Sequence, residues 1–168
     1  MDAIEAIMTR RSIRKYTKEP VPESLVGELL QAAMAAPSAR NEQPWHFVVM
    51  TDHKVMDEIP KFHQFSKMLP GAAAAILVCG DTAPLSDTYW IEDCSAAIEN
   101  ILIAARAKGL GAVWLGIYPS ETRYKQMQKL LGIPEKVIAL GLISIGFPAE
   151  EKPPSNRFNP QRVHYNKW

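Results

Sequence analysis

Cysteine is scarce in this 168-residue chain: there are two, Cys79 and Cys94, in apolar surroundings and without CxxC spacing. That argues against a disulfide framework and predicts two reduced, buried thiols in a cytoplasmic protein. Histidine is nearly as rare. His46, His53, His63 and His164 form neither HxxxH nor HExxH, so no metal site is expected. A surplus of one charge is also missing, since 19 Lys+Arg face 18 Asp+Glu for a net +1. A general nucleic-acid-binding chain carries a basic excess, and this one does not. The longest apolar stretch, "GAAAAILVCG" at 71–80, is far shorter than the ~20 residues that span a bilayer, so no membrane partner is expected. "MDAIEAIMTRR" has neither the apolar core nor the cleavage site of a signal peptide. "KGLGAVWLG" begins as GxG, but Trp114 stands where a dinucleotide fingerprint needs its third glycine. Neither a Walker-type phosphate loop nor a GxSxG elbow is present. As buried residues, Cys79 and Cys94 read as core more readily than as nucleophiles.

What the chain does have is a local concentration of charge. "TRRSIRKY" at 9–16 places three arginines and a lysine around Ser12. Cations at a helix C-terminus offset the macrodipole, which alone could explain Arg10 and Arg11. Arginine's planar, permanently charged fork also suits a phosphate, with Ser12 adding a hydroxyl. On the residues alone, a small-anion site and a solvated loop are both open.

The hydrophobic pattern predicts one domain over 1–168, with 147–168 an extended tail. Asp2 and Glu5 resemble a capping box for a helix over 2–9, whose Ile4, Ile7 and Met8 share a face. Pro22 suits the first turn of a second helix, which Pro37 stops. "HFVVM" at 46–50 reads as a strand, and "KVMDEI" and "FHQFSKML" as weak helical pieces. The unalternating "AAAILVCG" suits a central strand. Trp90–Lys108 is the clearest helix, closed by Gly109, and its broad apolar face suits either a helix buried within one domain or one shared with a partner subunit. "GAVWLGIY" is a strand, "SETRYKQMQKLLG" a helix between Ser120 and Gly132, and "VIALGLISIG" a long buried strand. Phe158, Val163, Tyr165 and Trp168 make the tail too aromatic for a disordered one, so it is expected to dock. Trp45 reads as core, and Tyr89 and Trp90 as core, interface or pocket wall.

"MDAIEAIMTRRSIRKY", "AAPSARNEQPW", "GLGAVWLGIYP" and a tail arginine, in this order and spacing, resemble the short branch of the nitroreductase-like FMN oxidoreductases. The resemblance implies an α+β fold, with a mostly antiparallel central sheet flanked by helices and an intertwined homodimer. It implies bound FMN, with NAD(P)H as co-substrate and a small electron-poor acceptor (a nitroaromatic, quinone or similar) reduced by a ping-pong mechanism. Arg10, Ser12 and Arg14 match flavin phosphate and ribityl contacts, with Arg11 in the same loop. Pro37, Ser38, Ala39 and Asn41 match a loop that reaches the flavin of the other subunit. Leu115 and Gly116, with Ile117 an alternative register, match a strand end whose backbone borders the flavin. Arg157 matches a tail arginine that returns to the phosphate. No side chain is expected to act as catalytic acid or base, because the cofactor carries the redox step. His63, Gln64 and Lys67 are the segment where larger relatives place polar contacts to the flavin pyrimidine ring, without a role assigned to any of them. A flavin-binding module without turnover, or a related dehalogenating or flavin-cleaving activity, is the alternative.

Overall fold

The computed structural model describes residues 1–82 and 89–168. Its elements are α1 (Ala3–Thr9), α2 (Glu23–Met34), β1 (Trp45–Met50), α3 (His53–Met56), β2 (Ala74–Asp81), α4 (Trp90–Ala107), β3 (Gly111–Gly116), α5 (Glu121–Leu131) and β4 (Val137–Gly146). The four strands pair antiparallel in the order β1-β2-β4-β3. The two unalternating apolar runs, β2 and β4, take the centre because both of their faces are covered. This is the α+β architecture expected from the sequence.

Side chains alternate across each strand, so the sheet divides two cores. On one face Ile76, Val78, Ile143 and Ile145 meet Leu29 and Ala33 of α2 and Ala97, Ile98 and Ile101 of α4. On the other, Leu77, Val113, Leu115 and Leu142 meet Met56, Ile59, Leu69 and Met127. Each fully buried aliphatic side chain stabilises the fold by about 1.5–3 kcal/mol, which is what holds α4 along the sheet. Trp45 is core, as expected.

Helix ends follow local chemistry. The Asp2 carboxylate accepts the Glu5 N–H at 2.9 Å and starts α1. Gly132, at φ 65°, ends α5 in the left-handed region that strains residues with a Cβ. Ser120 occupies the N-cap position of α5 without a side-chain cap bond.

One expectation needs correction. "FHQFSKML" is no helix: it runs as successive turns between 3-10 turns at Ile59–Lys61 and Leu69–Gly71. The buried Ser66 hydroxyl donates to His63 O at 2.7 Å and occupies a carbonyl that a helix would use. On α1, Ile4, Ile7 and Met8 share a side as expected; that side is exposed, and Ala6 is the buried residue of the helix. The tail meets the basic loop at Pro153, and in the single chain Phe158, Tyr165 and Trp168 are exposed.

Candidate functional site

β3 is an edge strand, and its register decides which backbone groups face outward. The Ile117 N–H donates to Leu140 O at 3.1 Å, one step beyond the Gly116–Gly141 pair. Bonded and non-bonded pairs alternate along an antiparallel ladder. Leu115 and Val113 therefore spend their backbone groups on β4, whereas Ala112, Trp114 and Gly116 turn theirs to the open edge. Two contacts agree with this. Ala112 O accepts the Ile13 N–H at 3.0 Å, and Gly116 O accepts from His63 Nε2 at 3.0 Å and Arg123 Nη1 at 3.1 Å.

The Ile13 contact, with a parallel bridge between Ser12 and Ala112, lays the basic loop alongside that edge. Tyr16 anchors it from below. Its hydroxyl lies 2.8 Å from Ile13 O and 3.2 Å from Ser144 O, and accepts the Ser144 hydroxyl at 2.9 Å. The ring fits because position 146 is glycine: a Cβ there would come within 2.9 Å of it. Burial pushes the Tyr16 pKa up to about 12, against the opposing pull of the Ser144 hydrogen bond.

Over this loop the tail closes a basic pocket of about 230 Å³, lined by Arg10, Arg11, Ser12, Arg14, Lys152 and Arg157. Five of these six are cations, so the pocket suits a multiply charged anion such as a phosphate monoester. The strap is specific. Glu150 Oε1 accepts the backbone N–H of Arg14 at 2.6 Å and of Lys15 at 3.2 Å. Lys152 Nζ donates to Ser12 O at 2.6 Å and pairs with Glu150 at 3.2 Å, and Arg11 donates to Pro153 O. The Arg14 N–H, first among several donors, holds the Glu150 carboxyl below the usual carboxylate range. Arg10 is partly neutralised by Glu99 at 3.3 Å.

Next to the basic pocket lies a slot of about 410 Å³ along the β3 edge, whose walls include His63, Gln64, Lys67, Trp114 and Gly116. A Cβ added at Gly116 would meet no atom within 4 Å, so the slot is open against that backbone. Arg14 lines both the slot and the basic pocket. An anion cradle and a flat, partly apolar slot thus join at one side chain.

A model of the nitroreductase family matches residues 7–74 and 64–147. The chain belongs to the nitroreductase family. It is 46% identical over 172 residues to an Archaeoglobus fulgidus protein named "Putative NADH dehydrogenase/NAD(P)H nitroreductase", covering 99% of both chains. The crystal structure of a Parabacteroides distasonis protein of the same name superposes with a TM-score of 0.95 at 41% identity, covering 99% of this chain and 98% of that one. An FMN-dependent nitroreductase from Clostridium difficile superposes with a TM-score of 0.92 at 29% identity, covering 98% and 99%.

Within this nitroreductase fold, Arg10, Arg11, Ser12, Arg14 and Arg157 meet in one pocket, and Leu115 and Gly116 line the slot. Leu115 has its side chain in the core and its backbone committed to β4, which leaves Gly116 as the outward-facing member of the pair. Pro37, Ser38, Ala39 and Asn41 line neither space. They lie past the far end of α2, where Ala39 N–H donates to the buried Asp93 carboxylate at 2.9 Å. Ser38 Oγ accepts the Gln43 N–H, and Asn41 Oδ1 accepts from Gln43 Nε2.

Sequence reasoning missed Glu150, Lys152 and Arg123, and gave no role to His63, Gln64 or Lys67. The first two sit in "AEEKPP", a stretch that reads as solvated charge, and only the docking of the tail gives them a site. Among the described residues no His, Cys, Asp and Glu cluster could hold a metal, and no helix is long and apolar enough to cross a membrane. Burial pushes both thiols up to about 12, so Cys79 and Cys94 are poor nucleophiles.

Proposed function

We propose that the chain is an FMN-dependent oxidoreductase that uses NAD(P)H to reduce electron-poor acceptors such as nitroaromatics or quinones, by a ping-pong mechanism in a homodimer. The observation that carries this reading is the placement of Arg14 between a basic pocket and a slot along a strand edge. FMN has the matching shape, a phosphate joined by a ribityl chain to a flat ring. Bound FMN supplies the redox chemistry, accepting hydride from NAD(P)H and passing electrons to the acceptor.

The chain's own residues bind and orient. Arg10, Arg11, Ser12, Lys152 and Arg157 would hold the phosphate, and charge-assisted hydrogen bonds make that hold strong. Arg14 would reach from the phosphate side to the ring. Gln64 and Lys67 would face the ring's polar edge from one wall. Gly116 would offer an outward N–H from the other, its missing side chain letting the ring approach. Arg14 and Lys67, which line the slot, would also bring positive charge to a ring that gains negative charge on reduction.

Pro37, Ser38, Ala39 and Asn41 enter this reading through a second copy. The 12 residues of α2 span roughly 18 Å at 1.5 Å per residue, which separates that loop from the basic loop of its own chain. A two-fold partner would let each chain lend it to the other's site. The exposed Ile4, Ile7, Met8, Phe158, Tyr165 and Trp168 would supply apolar surface for such an interface.

The test is direct. The purified protein should be yellow and release FMN on denaturation. With NADH or NADPH and a quinone it should turn over, with and without oxygen. A colourless protein that neither binds added FMN nor oxidises NAD(P)H would overturn the reading. Flavin bound without turnover would leave a binding module.

A further inference from the structure

The slot has two walls that are remote in sequence, and one hydrogen bond ties them together. His63, in the turns before β2, is 1% exposed, and its Nε2 lies 3.0 Å from Gly116 O at the end of β3. A carbonyl only accepts, so Nε2 carries a proton, while Nδ1 is buried with no hydrogen-bond partner among the described residues. A second donor reaches the same oxygen: Arg123, in the first turn of α5, lies 3.1 Å away with its guanidinium over the Phe65 ring, 5.6 Å from the centroid. Both lone pairs of one outward carbonyl are thus occupied by side chains from two other elements.

That carbonyl needs external support. Gly116 has no side chain to pack, and open space lies where its Cβ would be. On the β4 side, the N–H groups of Ile117 and Tyr118 share one acceptor, Leu140 O, at 3.1 Å each. The strand end thus hangs on a single carbonyl of β4. The His63 bond fixes it and at the same time sets its distance from Gln64 and Lys67, one and four residues further on.

We propose that His63, reinforced by Arg123, is a positioning residue that sets the width of the slot through the Gly116 carbonyl, and thereby its grip on the flat ring of a flavin. The proposal rests on the flavin reading given above. It assigns a job to one of the few buried polar side chains among the described residues.

The experiment compares FMN with lumiflavin, which is the ring without ribityl phosphate, titrated into apoprotein. His63→Leu removes the donor, and His63→Gln returns an N–H close to the place of Nε2. Ser66→Ala is the stability control, because it removes the bond to His63 O and leaves the one to Gly116. His63→Leu should bind both ligands about tenfold more weakly, the weight of one well-placed hydrogen bond. It should also shift the midpoint potential of bound FMN. His63→Gln should recover most of both. Arg123→Ala, on the surface, should weaken both ligands about threefold with an unchanged melting temperature. Equal affinities and potentials in wild type, His63→Leu and Arg123→Ala would overturn the proposal alone. So would a loss in His63→Leu no greater than in a Ser66→Ala chain of the same melting temperature. A wild type that binds neither ligand would overturn the flavin reading and this proposal with it.

Discussion

The carboxylate of Glu150 accepts the backbone N–H of Arg14 at 2.6 Å, so an acidic tail residue holds the main chain of the residue that lines both spaces of the candidate site. The basic loop is thereby shaped by the tail before any ligand arrives.

A pH dependence follows from this contact. Donors led by the Arg14 N–H lower the Glu150 pKa in the folded chain. A depressed carboxylate stabilises the fold above its unfolded pKa, and that contribution fades as pH falls through the folded value. At neutral pH, Glu150→Ala should speed hydrogen exchange of the Arg14 and Lys15 amides, and Glu150→Gln should do so less. After correction for intrinsic rates, wild type should come to resemble Glu150→Ala only below the ordinary carboxylate range. Equal protection in wild type and Glu150→Ala would refute the contact.

The two ends of the site should separate by ligand. Arg157 lines only the basic pocket, so Arg157→Ala should weaken FMN by roughly 10- to 100-fold, the range for a charged hydrogen bond, and leave riboflavin unchanged. Arg14 lines both spaces, and Arg14→Ala should weaken both ligands. Fluorescence titration of the apoproteins reads this. Identical profiles for the two variants would remove the assignment of separate ends.

Tyr16→Phe tests the anchor beneath the loop. The substitution keeps the ring against Gly146 and strands the buried Ser144 hydroxyl without its partner. It should cost about 1–3 kcal/mol in thermal or denaturant unfolding. The intact tyrosine should titrate near 12 instead of 10.0, visible in its ultraviolet absorbance.

Most of the framework was legible because it depends on near neighbours in sequence. Asp2, Pro22 and Gly132 mark helix ends by local chemistry, and the apolar runs of β2 and β4 leave only a central place in the sheet. What was hidden depends on contacts between distant residues. The carbonyl between Gly116 and Ile117 looks like any other until His63 and Arg123 converge on it. The α1 pattern placed Ile4, Ile7 and Met8 on one side but could not say what covers that side, and among the described residues it is exposed. The segment 62–69 misleads for another reason, since Ser66 diverts a carbonyl that its helical spacing required.

Subunit sharing can be tested by complementation. Arg14→Ala and Asn41→Ala chains, mixed under conditions that exchange subunits, should give heterodimers with one wholly wild-type site and one doubly impaired. Activity should rise above that of either parent, provided each parent is clearly impaired. Activity that stays at the parental average, with mixed dimers present, would mean that each site is built from a single chain.

The open side of β3 also bears on solubility. An edge strand offers a ladder of unpaired backbone groups to which another chain can add, and this is a common start of aggregation. Here the outward positions are Ala112, Trp114 and Gly116. The carbonyl of the first is taken by Ile13, and that of the last by His63 and Arg123. Among the described residues these contacts leave open the stretch around Trp114, too short to template a foreign strand. The contacts that shape a ligand slot therefore also guard this edge of the sheet against unwanted pairing, and a variant that loses them should precipitate sooner on warming than its loss of stability alone accounts for.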